Sequence, residues 1–144
     1  MSGGEVHGTQ MTGGMQSVYK DGAAYGTQVS KGTQTLYEKS LASGTTIFAD
    51  CIQNVYSGAS AVSTKISGGM QRAYVGASVA GTQVFSGGMQ EVFGVASGTV
   101  VSSGGSQIVS SGGSAAGTTV LAEGTLQLLG GAKAGGAITM GGMR

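Results

Sequence analysis

Apolar residues in this chain recur in two rows with a period near eighteen. The first row is Met11, Val29, Ile47, Ile66, Val84, Val101, Val120 and Ile138, with steps of 18, 18, 19, 18, 17, 19 and 18. The second is Val18, Leu36, Val55, Ala73, Val92, Val109 and Leu128, with steps of 18, 19, 18, 19, 17 and 19. The rows drift together, so both belong to one repeating unit. Small and polar residues keep the same phase. Thr27, Thr45, Thr64, Thr82, Thr99 and Thr118 stand two before the first row. Ala24, Ala42, Ala61, Val79, Ala96 and Ala115 stand five before it. Gln16, Gln34, Gln53, Gln71, Gln90 and Gln107 stand two before the second row. Glycine pairs return at Gly13-Gly14, Gly68-Gly69, Gly87-Gly88, Gly104-Gly105 and Gly141-Gly142. The unit reads G-G-x-Q-x-V-x-x-G-x-A-x-x-T-x-V, plus about two linking residues.

Within a unit, Gln16 pairs with Val18 and Thr27 with Val29 at a spacing of two, the strand period. Val, Ile and Thr dominate these positions, as strands prefer. Glycine marks the corners, where a positive φ or a close backbone approach is needed. One such unit is too short to enclose a core, and stacking solves this. Each coil pairs with those above and below at about 4.8 Å, so that equivalent side chains form ladders. The expectation is an all-β, right-handed parallel β-helix (β-solenoid) of about seven coils of 17–19 residues, on the order of 34 Å long. Right-handedness follows from the preference of parallel crossovers. The expected division is a partial coil over 1–11, the repeat array over 12–138, and the start of a further repeat over 139–144, as in a segment cut from a longer array. Lys133 is read at the small Ala position of an irregular last coil, with Gly136 in place of Thr.

Paired helices are excluded by the short, glycine-rich units. Propeller blades need about 40 residues. A collagen helix needs glycine at every third position and abundant proline, and this chain has no proline.

Composition sharpens the picture. Charged residues make up 9% and the formal net charge is +1, with the Lys and Arg residues scattered, so nothing gathers the cations that nucleic acid requires. Hydrophobic content of 40%, with its residues in register, argues against a flexible Gly/Ser linker. No stretch approaches a membrane span of about 20 apolar residues, and "MSGGEVHGTQ" lacks the apolar core of a secretory signal.

The chemistry of catalysis is missing. Glu5, Asp21, Glu38, Asp50, Glu91 and Glu123 fall at different repeat phases, and His7 is the sole histidine. General acid–base work needs convergent groups, so no catalytic residue, metal site or cofactor is expected. Cys51 is the only cysteine; it replaces a corner glycine and reads as a tolerated substitution rather than a nucleophile. The Gln and Thr rows read as stacked amides and locally bonded hydroxyls in preference to a binding row.

One outward row stands out. Tyr19, Tyr37, Tyr56, Tyr74 and Phe93 each follow the second apolar row, and alternation turns them away from the core. Such a stripe suits the face of a sugar or a second copy of the chain; the plainer reading is ring stacking that stabilises the solenoid. Phe48 and Phe85 sit elsewhere, directly after the first row.

The units "SGGMQRAYVGASVAGTQV" (67–84) and "SSGGSQIVSSGGSAAGTTV" (102–120) resemble the passenger repeats of self-associating, AIDA-type autotransporter adhesins. The resemblance covers nearly the whole chain. It implies a right-handed β-helix displayed at the bacterial surface, with roles in adherence, cell–cell aggregation and biofilm formation, acting by self-association or on host-cell surface glycans. It also implies O-glycosylation by a serine-directed glycosyltransferase, with Ser102, Ser103, Ser110 and Ser111 as the matching acceptors. Two other classes fit the repeat: a fibre module stacking end to end through unpaired strand edges, and, less well, a polysaccharide-active β-helix enzyme.

Overall fold

A computed structural model describes residues 3–135 and 139–140. The chain is a parallel β-solenoid of about seven turns, with no helix among the described residues. Its triangular coil presents three strand-bearing faces. The alanine face carries eight short parallel strands, among them Glu5–His7, Ala23–Tyr25, Leu41–Ser43 and Ser114–Ala116. The valine face carries pairs such as Thr46–Ile47, Gln83–Val84 and Thr119–Val120. The glutamine face carries strands such as Ile52–Val55, Met70–Ala73 and Ser106–Val109.

The register is that of the repeat. Val29 pairs with Ile47, Ile47 with Ile66, Gln34 with Gln53, Leu36 with Val55, and Ala24 with Ala42. Along the first row Val29, Ile47, Ile66, Val84 and Val101 are fully buried, as are Val18, Leu36, Val55, Ala73, Val92 and Val109 of the second. Burying each Val, Ile or Leu is worth about 1.5–3 kcal/mol. Two readings of the last coil change. Ile138 and Gly136 lie outside the described residues, as do Gly141-Gly142, and Val120 pairs with Met140 instead. Lys133 falls opposite Ser114 on the outward side, while Ala134 opposite Ala115 continues the alanine ladder. The final coil is longer than its predecessors, so a period of eighteen carried past Val120 loses phase. Leu128 keeps its register with Val109 but is exposed.

Up to Val120, coil-length variation is confined to two corners. Over those coils the count from the alanine row to the first row is constant: Ala24 to Val29, Ala42 to Ile47, Ala61 to Ile66 and Ala115 to Val120 are each five apart, whereas Ala134 and Met140 of the last coil are six apart. At that corner a left-handed residue precedes the inward Thr: Gly26, Gly44, Gly81, Gly98 and Gly117, with Ser63 (φ 56°) taking the role once. From the first row to the Gln row the count is five or six. Six residues make room for a turn closed by Cys51 N–H to Phe48 O, Gly88 to Phe85, Gly105 to Ser102 and Gly124 to Leu121. Its third residue has positive φ, the mark of a type II turn. With five, no such turn fits. At Gly13-Gly14 the corner lies inside a continuous strand, Gln10–Val18, which pairs with Gln28–Leu36 through a bulge between Met11 and Met15; at 67–69, with the same count, the strand breaks between Lys65–Ile66 and Met70–Ala73.

A polar spine divides the interior. Gln34 Nε2 donates to Gln16 Oε1 at 2.6 Å, and the same bond joins Gln53 to Gln34 (2.6 Å), Gln71 to Gln53 (2.7 Å), Gln90 to Gln71 (2.8 Å) and Gln107 to Gln90 (2.6 Å). Each amide oxygen also accepts from a threonine of the corner: Thr27 to Gln16, Thr45 to Gln34, Thr64 to Gln53, Thr82 to Gln71, Thr99 to Gln90 and Thr118 to Gln107, at 3.0–3.3 Å. Gln34 through Gln107 are wholly buried, so every oxygen of the ladder must find its donors inside. On one side lies a cluster of Val18, Leu36, Val55, Val92 and the alanine row. On the other lies a smaller one of Met11, Val29, Ile47, Cys51, Ile66 and Val84. The Gln and Thr rows are thus internal structure and present nothing to a ligand.

Candidate interaction surface

The tyrosine stripe is set by the third corner. Each Tyr follows an inward Val, Leu or Ala and opens a four-residue turn, as Gly22 N–H bonds to Tyr19 O, Ser40 to Tyr37, Ala59 to Tyr56 and Ala77 to Tyr74. The side chain therefore leaves the coil at the same point each time, and successive rings lie one coil apart. Tyr19 and Tyr37 stack with centroids 4.7 Å apart and planes 5° apart; Tyr37 and Tyr56 at 5.5 Å and 22°; Tyr56 and Tyr74 at 4.8 Å and 17°. Tyr74 and Phe93 are looser at 6.2 Å. The connection from Val92 to Ala96 is two residues shorter than that from Ala73 to Val79, and Gly94 N–H bonds to Ala73 O instead of closing a turn. Ser110 takes the next ring position and the stripe stops.

This geometry alters what the stripe offers. Rings stacked nearly parallel cover one another's faces, so the interior members show solvent their edges and hydroxyl groups. A sugar face needs a free ring face, which internal members of the ladder lack. Beside the stripe, Arg72 Nε donates to Glu91 Oε1 at 2.8 Å. The Glu91 carboxylate first, and the Tyr74 phenol second, hold the Arg72 guanidinium pKa above its usual value. On the same face the buried Oδ1 of Asn54 has no hydrogen-bond partner.

The four serines are not equivalent. Ser103 and Ser111 are the second residues of exposed turns; Ser102 is half-buried, and Ser110 is 8% exposed. Ser103 Oγ lies 3.2 Å from Glu123 Oε2. Their different burial was invisible in a row of serines, because it depends on which turn position each occupies.

Elsewhere the surface is simple. Phe48 and Phe85 are 37% and 38% exposed on the valine side. Cys51 is buried, with Sγ 3.5 Å from Ala49 O. It sits at the turn position that Gly88, Gly105 and Gly124 hold in later coils. Beside it a shallow concavity of about 290 Å³ is lined by Asp50, Ile52, Met70 and Met89. Among the described residues no three His, Cys, Asp or Glu side chains gather as a metal site would require, and no helix is long and apolar enough to cross a membrane.

These features define a parallel β-solenoid repeat protein whose side-chain ladders, more than any concavity, make up its candidate surface. No family model and no curated protein matches the chain. Among solved structures it is similar to the crystal structure of a TibC-catalysed, hyper-glycosylated fragment of TibA, an autotransporter adhesin, with 30% sequence identity and a TM-score of 0.64. The match covers 85% of this chain and 49% of that one, so the chain spans about half the length of the fragment it resembles. The fold is similar to that of an autotransporter adhesin passenger fragment.

Proposed function

We propose that this chain is a structural and adhesive passenger segment of a bacterial surface autotransporter, promoting adherence, cell–cell aggregation and biofilm formation. The observation that carries the reading is the continuous ladder-stacked solenoid, at 30% identity to the TibA fragment over 85% of the chain. A solenoid of this kind is a rigid spacer whose outward rows repeat once per coil, suited to many weak contacts acting together. Serine O-glycosylation accompanies the role. The TibA fragment is glycosylated by TibC, and here Ser103 and Ser111 stand on exposed turns, which makes them better acceptors than Ser102 or Ser110.

The test is display of the segment, fused to a heterologous surface anchor, on otherwise non-aggregating cells, with and without a serine-directed glycosyltransferase. Settling of the culture and retention on a surface are the readouts, with an equally long solenoid lacking the repeat exterior as control. Aggregation or adherence above that control is expected; equality with it overturns the adhesive reading. Intact mass after co-expression reads glycosylation separately, and Ser103→Ala with Ser111→Ala should remove added sugar mass.

A further inference from the structure

We propose that the tyrosine ladder is a site of oxidative cross-linking, in which phenols of neighbouring coils couple to dityrosine in two set pairs, Tyr19 with Tyr37 and Tyr56 with Tyr74. The inference is independent of the adhesive reading. It rests on three observations. The rings are held nearly parallel at contact distance, so the carbons ortho to each hydroxyl are already neighbours. The spacing alternates, at 4.7 Å, 5.5 Å and 4.8 Å, so the outer two pairs are closer than the middle one. The stripe is open to solvent, with Tyr19 46% and Tyr56 36% exposed.

The chemistry needs a one-electron oxidant, supplied by a haem peroxidase with hydrogen peroxide. Each phenol gives up one electron and its hydroxyl proton, leaving a phenoxyl radical whose unpaired spin reaches the ortho carbons. Two such radicals on adjacent coils form one carbon–carbon bond. The hydrogen on each joined carbon then moves to oxygen and restores the aromatic rings. In total two tyrosines lose two hydrogen atoms, and one peroxide is reduced to two waters. Holding both radicals side by side makes the coupling effectively unimolecular, which favours it over coupling between molecules. Each link closes a loop of 18 residues, from 19 to 37 and from 56 to 74, and staples neighbouring coils.

The chain carries its own controls. Tyr25 stacks on His7 at 4.9 Å and has no stacked tyrosine partner. Phe93 ends the ladder without a hydroxyl. Trypsin cleavage after Lys20, Lys31, Lys39, Lys65 and Arg72 puts Tyr19, Tyr25, Tyr37, Tyr56 and Tyr74 in five separate peptides, so each link is assigned by which two peptides it joins.

The experiment treats the folded full chain with a peroxidase and limiting peroxide at low protein concentration. Intact mass, biphenol fluorescence and cross-linked peptides are then read. The expected result is monomer that has lost two or four hydrogens, with links dominated by the 19–37 and 56–74 pairs. Methionine sulfoxide, expected at the exposed Met15, adds oxygen and is counted apart. Tyr37→Phe should abolish the first link and keep the second; Tyr56→Phe should do the reverse. Both keep a ring in the stack, and circular dichroism checks their fold. Coupling in urea should scramble the pairs and bring in Tyr25. Links mainly between molecules, links through Tyr25 in equal yield in the folded chain, or no link at all would overturn the proposal.

Discussion

Replacing Gln71 by leucine tests the polar spine at its centre. Gln71 is wholly buried, and leucine is close to it in volume, so the cavity term is small. What changes is hydrogen bonding. Gln53 Oε1 loses the Gln71 amide but keeps Thr64 at 3.3 Å. Gln90 Nε2 and the Thr82 hydroxyl both lose their acceptor, formerly at 2.8 and 3.1 Å. A buried donor left unmatched costs about 1–3 kcal/mol, and the Thr hydroxyl retains freedom to rotate, so the expected loss is about 2–5 kcal/mol. Gln107→Leu is the matched comparison. Its register neighbour in the next coil is already Leu126, so only the Thr118 hydroxyl is orphaned, while Gln90 Oε1 keeps Thr99 at 3.1 Å. That change should cost about 1–2 kcal/mol. Urea unfolding of both variants, read as midpoint shifts at a common slope, should place Gln71→Leu clearly below Gln107→Leu. The double change Gln71→Leu with Gln90→Leu should cost less than the sum of the singles, because it removes the donor that the first change strands. Equal shifts for the two single variants, or a Gln71→Leu chain more stable than the parent, would refute the reasoning.

The corners supply further tests. In Gly105→Ala the new Cβ would lie 2.7 Å from Val84 O and 3.0 Å from Phe85 O, so a loss of about 1–3 kcal/mol is expected. Gly13→Ala meets nothing within 4 Å and should shift the unfolding midpoint by no more than about 0.5 kcal/mol equivalent. Ser63→Gly places glycine where its equivalents already stand and should stabilise by about 0.5–1 kcal/mol in the same assay, since a left-handed serine is strained. The thiol of Cys51, 2% exposed, should react with an alkylating reagent only as fast as the solenoid opens, and rapidly in urea. Glu91→Gln removes a surface ion pair whose partners are 39% and 22% exposed, and should cost at most about 1 kcal/mol, less in high salt.

Much of the solenoid was legible in the sequence, because a stacked coil repeats its inward residues at the coil period. Two rows eighteen apart were enough to place Val29 under Ile47 and Gln34 under Gln53, and the Thr and Gln phases announced an internal amide ladder. Corner conformation was decided in three dimensions, since corners of equal count differ: the strand runs through Gly13-Gly14 but breaks at 67–69. With six residues the chain turns, as at Phe48–Cys51. The longer last coil likewise moved the register to Met140 and put Ala134, in place of Lys133, on the alanine ladder. Burial of Ser110 beside exposed Ser111 followed from turn position, and the covering of the tyrosine faces followed from the ring one coil away. The sequence by itself determined which residues face inward and how far apart the coils repeat, since alternation and period are properties of a single strand. Only the tertiary structure decided which groups remain available outside, since that depends on the neighbour stacked above and below.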